Sequence, residues 1–153
     1  MRASDAIRRS GVAIEAHRTV HDAAAIMEQA GVGALAVLDG DDLAGIVTDR
    51  DLVRRVLAKG LPGDARVDAV MSCPVFIIDA DADLHDAFAM FHTHAVRRLA
   101  VTRRGRFAGM ITVDDLLIDL AHDLTDLARP ITAEVLHAHH DSPVPAAAQA
   151  SAP

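Results

Sequence analysis

The chain repeats itself at an interval of 64 residues, and the two copies align over about forty residues without a gap. Self-similarity at a fixed interval indicates a duplicated structural unit, so the two copies should fold alike. Several matches fall on Gly, Thr and Asp, which packing alone does not demand. The matched segments include His21-Asp22-Ala23 with His85-Asp86-Ala87, Leu35-Ala36-Val37 with Leu99-Ala100-Val101, Thr48 with Thr112, and Asp51-Leu52 with Asp115-Leu116.

Each copy predicts the element order βαββα. Thr19 is a suitable N-cap for the first helix and Gly31 a suitable left-handed residue at its end, while Asp39-Gly40 favours a hairpin turn. Asp83 caps the matching helix of the second copy. In the first copy the elements are predicted as a strand over 12–15, a helix over 20–30, strands over 34–38 and 43–47, and a helix over 49–58. The predicted fold class is therefore α/β (α+β), with two pseudo-symmetric repeats.

Four segments follow from this pattern. The first repeat is expected over 1–62, the second over 63–128, a C-terminal helix over 129–140 and a disordered tail over 141–153. Arg129-Pro130 should break or kink the last helix, because proline lacks the backbone N–H that a helix interior needs. The tail is rich in Pro, Ala and Ser and has little apolar bulk to bury.

Charge and composition exclude several classes of protein. The formal net charge of −7 disfavours general attraction to nucleic acid, which depends on Lys and Arg neutralising phosphates. No apolar run is long enough to cross a membrane, and the charged N-terminus does not resemble a secretory signal, so a cytoplasmic bacterial protein is expected. Cys73 is the single cysteine, which excludes an intramolecular disulfide and predicts a buried free thiol.

A strand-to-helix turn with the spacing Thr-x-x-Asp occurs in both copies, as GIVTDRDL and GMITVDDL. One interpretation is structural, because a threonine followed three residues later by an acid forms a capping box. The other is functional: free N–H groups at a helix start attract anionic oxygens, and an aspartate can accept two hydrogen bonds from a ribose diol. The two roles are compatible, and the duplicated context favours a ligand.

These motifs, with the strands VGALAVL and VRRLAVT and the lead-in from Val67 to Met71, resemble a tandem pair of cystathionine-β-synthase (CBS) domains, or Bateman module, of the stand-alone bacterial type. The resemblance covers roughly Ser4 to Asp123. It implies two repeats packed sheet to sheet, two clefts for adenosine-type ligands, frequent dimerisation, and a regulatory rather than catalytic role.

Carried over residue by residue, the resemblance implies two crossed clefts. The first is expected to contain Thr48, Asp51, Val96, Arg97 and Arg98, and the second to contain Thr112, Asp115, Val32, Gly33 and Ala34. The first cleft should bind phosphate better, because arginine forms charge-assisted hydrogen bonds whereas Gly and Ala offer only backbone and space. Asp49 and Asp114 add negative charge that disfavours a triphosphate.

The expected function is a regulatory module that senses AMP, ADP or ATP, requires no cofactor and forms a homodimer that controls an unidentified protein. Apolar helix positions at Leu52, Val56, Leu116 and Leu120 would supply the dimer surface. No nucleophile elbow, P-loop or dinucleotide fingerprint predicts an enzyme.

The alternatives are a ligand-independent interaction module and a CBS protein that binds nucleic acid or metal. Arg103, Arg104 and Arg106 form the only candidate nucleic-acid patch, in a turn whose counterpart in the first copy is acidic. His92, His94 and the histidines of 137–140 lack a recognised zinc spacing, so no metal site is predicted.

Overall fold

The structure, a computed structural model, describes residues 1–8 and 11–138, with side chains up to residue 131. Its elements follow the predicted order, and those of the second repeat lie 64 residues after those of the first. The first repeat contains β1 (Ala13–Glu15), α1 (Val20–Ala30), β2 (Ala34–Asp39), β3 (Asp42–Thr48) and a helix α2 over 49–59. The second contains β4 (Ile77–Asp79), α3 (Leu84–His94), β5 (Arg98–Arg103), β6 (Arg106–Thr112) and α4 (Val113–Ala138). The predicted mixed fold of two βαββα repeats is confirmed.

Two three-stranded sheets have the same topology. In each sheet a short first strand pairs in parallel with the middle strand, which pairs antiparallel with the third. Both middle strands carry an irregularity at the same place, between Val37 and Leu38 and between Val101 and Thr102. The duplication seen in the sequence is therefore kept in the strand register.

Helix α2 changes its hydrogen-bond pattern along its length. It begins with one α-helical turn (Asp49–Asp51), continues as a π-helical segment (Leu52–Val56) and ends with a 3-10 turn (Leu57–Lys59). Gly60, with φ 67°, ends it in the left-handed conformation. The predicted end of this helix at Lys59-Gly60 is confirmed.

The predicted caps are also present. The Asp22 N–H donates to the Thr19 hydroxyl oxygen at 3.0 Å, and Gly31 ends α1 with φ 63°. The Arg18 guanidinium donates to Asp22 at 2.9 Å, which with the Thr19 N–H lowers the pKa of this carboxyl below its usual range. Asp83 accepts from the His85 N–H at 2.8 Å. The first hairpin turn lies one residue later than predicted, because Asp39 pairs with Asp42.

Helix α3 ends at Ala95, which has a φ of 51° and occupies the place that Gly31 occupies at the end of α1. We expect Ala95→Gly to raise the free energy of unfolding by roughly 0.5–1 kcal/mol, because an L residue in the left-handed region costs about 1 kcal/mol or more and the freedom of glycine offsets part of the gain. Urea unfolding followed by far-UV circular dichroism measures this. Ala89→Gly, on the exposed side of the same helix, should instead lower it by about 1 kcal/mol. A fall in both variants would contradict the prediction.

Each repeat has its own core. Each core also contains residues from the segment that precedes the first strand of the other repeat. Ala3 and Ala6, in a 3-10 turn (Ala3–Ala6), are buried in the core of the second repeat. Val67 and Val70 are buried in the core of the first. Backbone hydrogen bonds hold both segments in place. The Ala3 N–H donates to the Ala82 carbonyl oxygen at 2.9 Å, and the Val67 N–H donates to the Arg18 carbonyl oxygen at 2.9 Å. Residues Met1–Leu116 consequently form one compact unit.

Two expectations about exposure differ from the structure. Cys73 is exposed rather than buried, because it lies in the loop that precedes β4. Val56 and Leu116 are buried in the cores of their own repeats, and Leu52 packs against the first core, so of the four proposed dimer residues only Leu120 is exposed. The exposed apolar side chains are those of Val53 and Leu117, one residue after Leu52 and Leu116.

The region from Leu117 onwards is a second unit and consists, where described, of the rest of α4. This helix continues through Pro130 to Ala138, so the break predicted at Arg129-Pro130 is not seen in the described part. The predicted tail over 141–153 lies outside the described residues, and the four-part division of the chain stays a prediction. Among the described residues, none of the helices combines the length and apolar character needed to span a membrane.

Candidate ligand-binding cleft

A cavity of about 280 Å³ lies between the two repeats, inside the unit Met1–Leu116. The first repeat contributes small residues from the start of β1 and from the turn between α1 and β2. The second repeat contributes polar residues from the turn that joins β6 to α4. The lining consists of Gly11, Val12, Gly31, Val32, Gly33, Ala34, Arg98, Met110, Thr112, Asp114 and Asp115. All five residues that were expected in the second cleft are among them.

The cavity is open because the first repeat has small residues where it lines the cavity. Gly11, Gly31, Gly33 and Ala34 line it, whereas 64 residues later the chain has Val75, Ala95, Arg97 and Arg98. At Gly33 a Cβ atom would lie 3.1 Å from the Asp49 carboxylate, so this side chain would have to move slightly to accept even a methyl group there.

The polar end of the cavity is the start of α4. The Thr112 hydroxyl donates to Asp115 Oδ2 at 2.7 Å, and the Asp115 N–H donates to the Thr112 hydroxyl oxygen at 3.1 Å. Within the described residues, Asp115 Oδ1 accepts no hydrogen bond. The acid thus takes part in the helix cap with one oxygen and keeps the other for a hydroxyl donor.

Two arginines border this end. Arg98 pairs with Thr112 across β5 and β6, and this register explains why Arg98 lines the Asp115 cavity although the resemblance assigned it to the other cleft. One Arg97 amino group donates to both oxygens of Asp114, at 3.0 and 3.2 Å. The pair is exposed, so it contributes little to stability, but it offsets the negative charge of Asp114 beside the cavity.

The residues expected in the first cleft are arranged differently. The Thr48 N–H donates to Asp51 Oδ2 at 3.0 Å, while Asp51 Oδ1 lies 3.7 Å from the Arg55 guanidinium. Both oxygens of this carboxylate are therefore engaged, in contrast to Asp115. Asp51 lines a separate cavity of about 290 Å³ with Arg50, Arg54, Arg55 and Lys59. Val96 packs against the core of the second repeat.

Arg106 of the basic hairpin turn and His94 at the end of α3 have partners within the chain. Arg106 forms an ion pair of 3.1 Å with Asp41, so the oppositely charged hairpin turns meet within one chain. The His94 ring stacks on Phe76 with 4.5 Å between the ring centroids. In the described residues, no three His, Cys, Asp or Glu side chains are grouped so that they could hold a metal ion. Most of the histidines at 137–140 lie beyond the described part.

Sequence reasoning missed Gly11, Val12 and Met110 as cavity residues. Gly11 and Val12 reach the cavity because the chain enters β1 there, and Met110 because it lies two positions before Thr112 on β6. A small residue at the start of a strand is the only available signal for Gly11. Nothing in the local pattern distinguishes Met110 from a core residue.

Comparison with known proteins identifies the family. The CBS domain model matches residues 3–58 and 67–122, which are again 64 positions apart and cover most of the chain. The chain belongs to the CBS domain family. It is a CBS-domain pair with a regulatory function, as the resemblance of its two turns implied.

Relatives of this CBS pair occur in bacteria and archaea. The CBS domain-containing protein YhcV of Bacillus subtilis is 31% identical over 106 residues, which are 69% of this chain and 76% of that protein. Hypoxic response protein 1 of Mycobacterium tuberculosis is 32% identical over 116 residues, 74% of this chain and 81% of that one. A crystal structure of Hypoxic Response Protein I with two coordinated zinc ions has a TM-score of 0.67 and covers 76% of this chain and 97% of that chain.

A CBS domain protein from Pyrobaculum aerophilum, complexed with AMP, has a TM-score of 0.66 at 22% identity, covering 80% of this chain and 99% of that chain. At this identity the likeness concerns the fold.

Proposed function

We propose that this CBS pair senses an adenine nucleotide, and that the nucleotide binds in the cavity between Gly33 and Asp115. The observation that carries the proposal is the meeting of the Thr112–Asp115 helix start with the small residues of the other repeat around one cavity. Because both repeats form its wall, a ligand there would stabilise their junction. The AMP complex of a protein with this fold supports the same chemistry.

Each part of a nucleoside monophosphate has a counterpart in the cavity. The apolar side chains of Val12, Val32 and Met110 can hold a base, and Asp115 Oδ1 can accept from a ribose hydroxyl. Arg98 and the positive end of the α4 helix dipole favour a phosphate. A cavity of about 280 Å³ favours AMP over ATP, which is longer.

The sequence alone favoured the Asp51 cleft for the phosphate. Two observations support the Asp115 cavity instead. Arg98 lines the Asp115 cavity, and the Arg55 guanidinium already lies 3.7 Å from the Asp51 carboxylate. Ligand hydroxyls would have to displace this arginine from Asp51. Asp115 faces no such competitor among the described residues.

Asp115→Asn is expected to weaken AMP binding by about tenfold to a hundredfold, because a hydrogen bond to a charged acceptor contributes roughly 1.5–3 kcal/mol. Isothermal titration calorimetry with adenosine, AMP, ADP and ATP measures this and ranks the ligands. Asp51→Asn is the matched control, since it alters the pseudo-equivalent capping acid. The dissociation constant of this variant for AMP should change by less than about threefold.

Far-UV circular dichroism must show unchanged helicity in both variants, because a capping acid also supports its helix. If none of the four compounds at millimolar concentration binds the wild-type protein, the ligand-independent interaction module is the better function. An equal or larger loss from Asp51→Asn would place the nucleotide in the other cleft.

A further inference from the structure

Helix α4 is longer than its counterpart in the first repeat. The matching helix α2 ends at Lys59, whereas α4 continues past the pseudo-equivalent Asp123 to Ala138. The family model ends at residue 122, so this extension lies outside the CBS repeat. The unit that begins at Leu117 consists, where described, of this helix alone. A single helix cannot bury its own apolar side chains, so its stability depends on what packs against it.

Five large apolar side chains form one stripe along this unit. They are separated alternately by three and four residues, which is the spacing of the a and d positions in a coiled coil. At about 100° per residue all five fall within an arc of roughly 80°, so they share one face of the helix. Each is between 53% and 69% exposed. The stripe consists of Leu117, Leu120, Leu124, Leu127 and Ile131.

This spacing indicates that the stripe packs against another helix. In a coiled coil each a or d side chain fits between four side chains of the facing helix, which is why the alternation of three and four residues recurs there. The other exposed apolar side chain in this stretch, Ile118, lies about 100° from Leu117 and therefore outside the stripe.

An acidic ridge borders the stripe on one side. Asp123 lies next to the stripe and Asp126 lies further round the same side, and both are exposed. Arg129, the one Lys or Arg between 117 and 131, lies on the far side of the helix, 3.9 Å from Asp126. A second copy of α4 would bring the same acidic ridge and no cation to face it. A helix with a basic rim is electrostatically complementary.

We propose that the stripe of α4 binds an amphipathic helix of another protein. That helix carries apolar side chains with the same spacing and Lys or Arg along the rim that meets Asp123. Its apolar side chains cover the stripe, and its cations face the acidic ridge. Such a contact attaches the CBS pair to a second protein through a surface outside the two repeats. It does not depend on nucleotide binding.

Synthetic peptides test the proposal on the full-length protein. The probe is a fluorescein-labelled peptide of about three heptads, with Leu at the a and d positions and Lys at the e and g positions. One control peptide has Glu in place of Lys, and another contains the residues of the probe in scrambled order. In fluorescence anisotropy the protein should bind the probe at least about tenfold more tightly than either control, because only the probe matches both the spacing and the charge.

Leu124→Ser should weaken binding of the probe by at least about tenfold, because it removes a side chain from the centre of the stripe. Ile118→Ser is the matched control, since it removes an equally large and similarly exposed apolar side chain from the same helix outside the stripe. Its dissociation constant for the probe should stay within about threefold of the wild type. Far-UV circular dichroism shows whether both variants keep the helicity of the wild type.

The acidic ridge is tested by charge reversal. Asp123→Lys with Asp126→Lys should reduce the preference for the Lys peptide over the Glu peptide by at least about tenfold, because the rim then repels cations. Arg103→Glu with Arg104→Glu changes two charges on a hairpin turn and should leave the affinity for the probe within about threefold.

Equal binding of the three peptides, or an equal loss from Leu124→Ser and Ile118→Ser, would overturn the proposal. Analytical ultracentrifugation without peptide tests the other occupant. Self-association of the wild type that Leu124→Ser abolishes and Ile118→Ser does not would show that a second copy covers the stripe, and this too would overturn it.

Discussion

Ala6→Asp is expected to lower the free energy of unfolding by about 3–5 kcal/mol, because it places an unpaired carboxylate in an apolar core. Ala6 is fully buried although it lies near the start of the chain. It belongs to the core of the second repeat, together with Leu99 and Ile111. A change near the N-terminus should therefore damage the repeat that begins some sixty residues later.

Urea unfolding followed by far-UV circular dichroism measures the loss, since the chain has no Trp or Tyr for fluorescence. Ala25→Asp is the matched control: the same change on the exposed side of α1 should cost about 0.5 kcal/mol, mainly in helix propensity. Hydrogen exchange locates the damage. Amides of β5 and β6 should lose protection before those of β2 and β3, and the reverse order would contradict the exchange of lead-in segments.

The burial of each lead-in segment in the core of the other repeat could not be predicted from the sequence. Thr19, Gly31 and Asp83 predicted helix ends correctly, because capping depends on residues within one turn of each other. The positions of Ala3 and Val67 depend on which sheet a distant segment meets after the chain has turned back. Both lie in short segments in which apolar and polar residues are mixed in a similar way, so either segment would fit either core in a chain with two similar repeats.

The candidate site was predictable to a similar degree. The resemblance placed Thr112, Asp115 and Gly33 together, and the structure brings them around one cavity. Arg98 was assigned to the opposite cleft, because its place is decided by the register with Thr112 and by which cleft has room for its side chain. The dimer residues on the helices were displaced by one position, since a helical face shifts by about 100° per residue and periodicity alone leaves its centre uncertain.

Gly33→Arg is expected to weaken AMP binding by at least about a hundredfold, and this prediction rests on the proposed function. The substitution copies Arg97, the residue at the pseudo-equivalent place, and puts a long side chain into the wall of the Asp115 cavity. A side chain that occupies the space of a ligand excludes it by direct overlap, a larger effect than losing one hydrogen bond. The variant should therefore bind more weakly than Asp115→Asn.

The variant should remain folded, which makes its loss of binding interpretable. Gly33 does not need a positive φ, and the nearest obstacle to a Cβ atom is the side chain of Asp49, at 3.1 Å. That carboxylate is exposed, so it can move aside. Gly63→Arg is the control, because it adds the same side chain where a Cβ would have an ordinary contact of 3.6 Å with His21. Calorimetric titration of AMP that gives the Gly33→Arg protein a dissociation constant within threefold of the Gly63→Arg protein would show that the nucleotide binds elsewhere, while the CBS fold would stand unchanged.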